Sequence, residues 1–297
     1  TEIVQVATGF VSEAQRTIEQ LNTLYTITYD LNGGNFVEGF TAPASFNKYM
    51  TIGLPAAEKL KTTKYTFLGW KNAQGVIVTD IPSGTTGDIT LTAEWAEGII
   101  CTANNVAEII RELEFSDEPY TIIVTGEIND DTICAIRTAL QDNSSVKVNL
   151  DLENTTGLTS IRDGRFGECN SLISVVIPEG VTEICGSAFN GSSSLESVII
   201  PNSVTTIGAG AFYNCRSLTS LDLSNLDTSN VTNMGSMFYN CSSLTSVDVS
   251  SLDTSKVTNM QYMFQYCSSL TELDLSNFDT SNVTSMSQMF YNCSGLT

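Results

Sequence analysis

The sequence predicts a mainly β protein with some α: a small β domain, then an α/β-capped solenoid built on a parallel sheet. Three observations predict it. Leu172, Leu195, Leu218, Leu244, Leu270 and Leu296 recur at spacings of 23, 23, 26, 26 and 26 residues, and their neighbours recur with them. Such a period means a solenoid, in which each repeat buries its apolar face only by stacking on the next. Both tryptophans, Trp70 and Trp95, lie outside the repeats, so the first region needs a core of its own. Between the two regions, helix-like and strand-like segments alternate. A solenoid also favours binding over chemistry, because it presents long surfaces rather than closed pockets.

Residues 1–23 read as a linker or a short helix, with Ser12 as N-cap and Glu13 in the first turn. Residues 24–97 form a separate module. YTITYDLNGGNF alternates apolar and polar residues and breaks at Asn32-Gly33-Gly34, which predicts a hairpin because its central positions need φ > 0. Strands are expected again at YTFLGW, ending at Trp70, and at DITLTAEW, ending at Trp95. These three motifs together resemble the internalin B-repeat family. The resemblance implies a small β-grasp-like module, used as a spacer or adhesive unit on bacterial surface proteins. The insert from Phe40 to Lys61 is longer than the family pattern, which touches its loops rather than its fold.

Residues 98–157 read as the N-terminal cap of the solenoid. ANNVAEIIREL places Val106, Ile109, Ile110 and Leu113 on one helical face, and PYTIIVTGEI reads as a buried strand. DDTICAIRTAL reads as a second helix whose Asp130 and Asp131 suit the dipole at its start, and VKVNLDL alternates as a strand. The order is α-β-α-β, with a right-handed parallel crossover expected. A cap is needed because an open sheet edge invites aggregation.

Residues 158–297 are the repeats. In the shorter form Leu195, Val198, Ile200, Val204, Ile207, Ala211 and Phe212 point inward, as do Leu172, Val175, Ile177, Val181, Ile184, Ala188 and Phe189 one repeat earlier. Ile161 and Phe166 keep the register in a partial first copy. The longer form, from Leu218 to Cys241, buries Leu218, Leu221, Leu223, Leu226, Val231, Met234, Met237 and Phe238 and recurs at +26. Both forms, including L-D-T-S-x-V-T-x-M-x-x-M-F-x-x-C, resemble the BspA-like leucine-rich repeat family. The resemblance implies a curved parallel sheet on one face, and secreted or surface proteins of bacteria and some protozoa implicated in adhesion.

Charge and composition exclude several functions. The net charge is -20 with a pI of about 4.1, against the clustered basic face that nucleic acid requires and against anionic membrane surfaces. No run of 18 apolar residues spans a bilayer. Few lysines and many Ser, Thr and Asn suit an extracellular β-rich protein. Thr1 and Thr297 read as cut points within a longer protein, so a signal peptide and anchor are expected beyond them. Histidine is absent, which removes most acid–base, triad and zinc arrangements, and no phosphate-binding glycine loop occurs. No enzymatic activity, metal or cofactor is expected.

Cys169, Cys215, Cys241, Cys267 and Cys293 share one repeat position, with Ser192 at the missing rung. They read as a ladder of small buried side chains. Disulfides between rungs remain open by distance, whereas metal ligation lacks a CxxC pair. Cys101, Cys134 and Cys185 have no obvious mates; so many free thiols suggest an anaerobic or reducing habitat. Asn230 and Asn282 sit in glycosylation sequons that are by-products of the repeat.

The candidate binding residues lie on the exposed sheet face: Asp151, Ser174, Val176, Ser197, Ile199, Ser220, Asp222, Ser246, Asp248, Glu272 and Asp274. Asp222, Asp248 and Asp274 stack between strand leucines. Charges about 5 Å apart there repel by roughly 1–3 kcal/mol, so the row attracts a cation, a basic partner or sugar hydroxyls, or is simply solvated. A second row, Asp227, Asp253 and Asp279, opens each D-T-S turn, where Asx bonding explains it. Val176 and Ile199, flanked by Pro178 and Pro201, either mark a partner site or suit a sheet by being β-branched. The combined expectation is a non-enzymatic bacterial cell-surface or secreted adhesion protein. It recognises a host or bacterial surface protein or a glycan through this face. The alternatives are a structural stalk or spacer, and an accessory binding segment of a larger surface hydrolase.

Overall fold

The computed structural model describes residues 12, 15, 23–61, 65–224, 226 and 228–296. Beyond Ser12 and Gln15, the short helix expected over residues 12–22 lies outside the described residues. The chain divides into two units at Glu97/Gly98.

The first unit holds β1 (Tyr25–Asp30), β2 (Asn35–Phe36), β3 (Ser45–Phe46), β4 (Ile52–Gly53), β5 (Leu60–Lys61), β6 (Tyr65–Lys71), β7 (Ile77–Val78), β8 (Asp80–Ile81) and β9 (Ile89–Glu97). Its main sheet runs β3-β1-β9-β6-β7, with β1 and β9 parallel at the centre. Alternation in β1 and β9 turns Ile27, Leu91 and Ala93 inward onto Trp70, Phe46 and Ile81. Trp70 is buried, and its indole N–H donates to the Pro55 carbonyl at 2.8 Å, which satisfies the one polar atom it carries inside. The connection from β2 to β6 carries short strands and one 3-10 turn, Ala57–Lys59.

The hairpin expected at Asn32-Gly33-Gly34 does not form. The turn is there, with Asn32 at φ 44 and Gly33 at φ 91, but β1 pairs with β3 and β9 while β2 pairs with β5. The reason is Trp95. Its indole lies so close to Gly34 that a Cβ there would stand 2.2 Å from the ring, and its N–H donates to the Leu31 carbonyl at 3.0 Å. The glycines serve a ring packed against the turn, which carries the chain away from β1.

The second unit begins with β10 (Ile99–Thr102), α1 (Val106–Glu112), β11 (Tyr120–Glu127), α2 (Asp130–Asp142) and β12 (Val148–Asp151). Then come β13 (Thr155–Thr156), β14 (Ser160–Ile161), β15 (Leu172–Val176), β16 (Glu183–Ile184), β17 (Ser197–Ile199), β18 (Thr206–Ile207), β19 (Ser220–Asp222) and β20 (Ser246–Asp248). The expected α-β-α-β order is therefore preceded by a further strand, β10, parallel to β11. Ile-Ile-Cys-Thr is a short β-branched run that a partner strand on one side is enough to order.

Three sides enclose the core of this unit. The front sheet runs β10-β11-β12-β15-β17 in parallel, so cap and repeats share it. The rear sheet is β14-β16-β18, continued by bridges from Asn233 to Asn259 to Ser285. The third side has no strands, yet each turn bonds the next: Phe166, Phe189, Phe212, Phe238 and Phe264 donate their N–H to the following rung at 2.8–3.0 Å. Their rings stack inside with Phe290, centroids 5.4–5.9 Å apart and planes 4–11° apart.

Beside that stack runs the cysteine row. The thiols of Cys215, Cys241, Cys267 and Cys293 donate to the carbonyls of Phe189, Phe212, Phe238 and Phe264 at 2.9–3.2 Å. Ser192 fills the missing rung by donating its hydroxyl to the Phe166 carbonyl. All eight cysteines are free. Burial pushes the Cys169 and Cys267 thiols up to about 12, so at neutral pH they are protonated.

The α-helices cover the first rung. Asn129 caps α2 through the Thr132 N–H at 3.0 Å, and Asn143 at its other end donates to the Ile110 and Leu113 carbonyls at the close of α1. Asp130 meets Arg165 with two bonds of 2.7 and 2.6 Å, and Gln141 donates to the Gly167 carbonyl at 2.9 Å. The Arg165 guanidinium holds the Asp130 carboxyl below its usual range.

Candidate functional site

The front face carries two outward rows. Pairing aligns Ile100 with Ile123, Ile123 with Asp151, Asp151 with Val176, and Val176 with Ile199. The second row aligns Thr121, Asn149, Ser174 and Ser197. Period-2 alternation puts both rows outward, while Ile122, Leu150, Val175 and Val198 face the core. The first row is thus four β-branched apolar residues interrupted by one aspartate. Ile199 is 61% exposed and Ile100 41%, with Ile123 and Val176 half-buried between them. Sequence reasoning found Val176 and Ile199 but missed Ile100, because β10 went unread, and Ile123, because its strand read as buried on both faces. The signal was present in the apolar doublets Ile99-Ile100 and Ile122-Ile123, each with one residue in and one out.

Beyond β17 the pairing stops. Between β17 and β19 the N–H of Thr219 donates to the Glu196 carbonyl at 3.2 Å, but no ladder forms. The strands across the break are still 23 residues apart, and the first 26-residue step is the one from β19 to β20. Then β19 and β20 pair, aligning Ser220 with Ser246 and Asp222 with Asp248, all four exposed. They line a shallow groove of about 370 Å³ with Ser224. Glu272 and Asp274 are exposed as well, but no strand forms around them among the described residues, so they leave the sheet-face set.

The aspartates are not loose charges. Each accepts the backbone N–H two residues on: Asp151 from Glu153, Asp222 from Ser224, Asp248 from Ser250 and Asp274 from Ser276, at 2.8–2.9 Å. This is the Asx geometry expected for the second row, where Asp253 and Asp279 also show it; Asp227 lies outside the described residues. Bonds from the serine hydroxyl and N–H hold Asp222, Asp248 and Asp274 below the usual carboxylate range. For Asp248 these outweigh the opposing repulsion of Asp222 and Asp274. The row is ionised and its geometry is fixed by the turns. Among the described residues no group of three or more His, Cys, Asp or Glu could hold a metal ion. No described helix is long and apolar enough to cross a membrane.

Comparison with known proteins covers both ends of the chain. Residues 25–94 match the Listeria-Bacteroides repeat domain. Residues 208–297 match a family described as a Mycoplasma protein of unknown function, DUF285. A leucine-rich repeat protein of T. pallidum, known from its crystal structure, is 23% identical over 61% of this chain and 82% of its own, with a TM-score of 0.38. No curated protein matches the chain. The chain is therefore similar, at its small module and at its longer repeats, to repeat families of bacterial proteins.

Proposed function

We propose that this chain is a non-enzymatic binding segment of a bacterial surface or secreted protein, and that the front face of its solenoid binds a protein partner. The observation that carries this reading is the row Ile100, Ile123, Val176 and Ile199. β-branched residues suit any sheet, but two pairs of them in register on one outward row, Ile100 with Ile123 and Val176 with Ile199 either side of Asp151, form apolar patches whose burial favours association. At about 25 cal/mol per Å², covering Ile199 and its neighbours supplies a few kcal/mol of driving force. Asp222 and Asp248 then form an anionic border, which selects a partner with basic residues beside an apolar contact and speeds its encounter. A strip of this shape suits a protein surface better than a sugar, whose hydroxyls find few donors along it.

The test is binding of the chain to an array of purified bacterial and host surface proteins, repeated with Val176→Asp/Ile199→Asp and with Asn202→Asp, an exposed turn residue. Proteins captured by the original chain are expected to be retained by Asn202→Asp and lost by the double variant. Capture that ignores the double variant contradicts the front-face reading.

A further inference from the structure

A second surface, on the strandless third side, carries an unexpected choice of residues. Two positions in every rung hold a left-handed backbone. The first is filled by Gly164, Ser187, Gly210, Ser236, Tyr262 and Gln288, and the second by Glu168, Gly191, Asn214, Asn240, Tyr266 and Asn292. Glycine and asparagine tolerate this conformation, and bulky aromatic residues do so at a cost. One rung alone places tyrosine at both, with Tyr262 at φ 62 and Tyr266 at φ 64. Other rungs also hold residues other than glycine or asparagine at these positions, such as Ser187, Gln288 and Glu168, but only this one holds two aromatic rings.

The rings there join a ridge. Tyr213 and Tyr239 lie face to face, centroids 4.4 Å apart and planes 2° apart, so their normals run broadly along the stack. Tyr266 is turned 80° from Tyr239, and Tyr291 is turned 89° from Tyr266. Both contacts of Tyr266 are edge-type, so parallel rings do not sandwich it as they do Phe238. Tyr291 is 52% exposed; Tyr213, Tyr239, Tyr262 and Tyr266 are half-buried. A bond from Asn240 to Asn214 at 2.8 Å runs along the same ridge, using one of the several donors and acceptors these amides hold. Charge is missing: residues 231–244, 257–271 and 283–296 contain no acidic or basic side chain, in a chain with 33 acids.

We propose that Tyr239, Tyr262, Tyr266 and Tyr291 form a stacking platform for a neutral oligosaccharide. A sugar ring packs its C–H groups against the exposed parts of Tyr266 and Tyr291, and its hydroxyls bond the amides of the ridge. The absence of charge on these turns, with an acidic chain around them, excludes anionic glycans and gives a cationic peptide no partner there. This surface is independent of the front face.

The experiment titrates the full 297-residue chain with neutral cello-, chito-, manno- and xylo-oligosaccharides, with oligogalacturonate as the anionic contrast. Tyr262→Ser/Tyr266→Asn installs the residues found in neighbouring rungs, so it folds at least as well, and an unchanged or raised melting temperature verifies that. At least one neutral series is expected to bind, and the double variant to weaken it by about tenfold or more. Ile199→Asp is expected to leave sugar binding unchanged, which separates this site from the front face. The proposal is overturned if no neutral oligosaccharide binds, if only oligogalacturonate binds, or if the double variant binds as tightly as the original chain.

Discussion

At the scale of single residues, Ser192 shows how strictly the inside of the solenoid constrains chemistry. Its hydroxyl donates to the Phe166 carbonyl and accepts from the Cys169 N–H at 3.1 Å, with no exposure at all. Ser192→Ala leaves both backbone groups buried and unpaired, and is expected to cost about 1–3 kcal/mol in denaturant unfolding. Ser192→Cys is expected to cost less, since cysteine fills this position in the other rungs. The aspartates of the turns set the acid limit. Their folded carboxyls titrate below the ordinary range, so their stabilisation is full above about pH 4 and is lost as pH falls through and below it. The melting temperature is expected to drop as pH falls below about 4, and Asp248→Asn to flatten that drop. An unchanged slope in the variant would show that the Asx bond does not favour the charged form. The inward leucines, valines and phenylalanines were legible from spacing alone, because stacking leaves each inward position a fixed neighbour. The Asx bonds of Asp222 and Asp248 were not, because a position between strand leucines reads as sheet until the strand is seen to end there.

At the scale of elements, α2 binds the cap to the first rung. Asp130 reaches Arg165 from the first turn of the helix, and both side chains are about three-quarters covered. Asp130→Asn keeps the helix start but loses the ion pair, and is expected to lower stability by about 1–2 kcal/mol. Amide exchange in α2 and β12 is expected to speed up while β19 and β20 keep their rates. Uniform change across the unit would contradict a local lock. Elements were also where sequence reading fell short. Asn32-Gly33-Gly34 looked like a hairpin because the turn chemistry is right, but Trp95, more than sixty residues on, decides where the chain goes next. β10 was unread because four residues carry too little periodicity. The tyrosine ridge was in plain view as F-Y-N-C and F-Q-Y-C, yet only backbone angles reveal that Tyr262 and Tyr266 occupy positions suited to glycine or asparagine.

At the scale of the whole molecule, two cores stand apart: one around Trp70 and Phe46, the other running unbroken from Cys101 to Cys293. Residues 98–297 expressed alone are expected to keep the thermal transition they show in the full chain; a lost or lowered transition would show that the first unit supports them. Within the solenoid the front ladder stops after β17 and resumes at β19, where the face turns from β-branched to acidic, while the phenylalanine stack passes through without a gap. The front face is the proposed binding surface. Carbene footprinting of the chain, alone and saturated with a protein captured on the array, tests it most directly. The account predicts protection of Ile100, Ile123, Val176 and Ile199, with Asn202 and Thr205 labelled as before. Protection confined to the rear sheet or the turns, with those four residues still labelled, would contradict it.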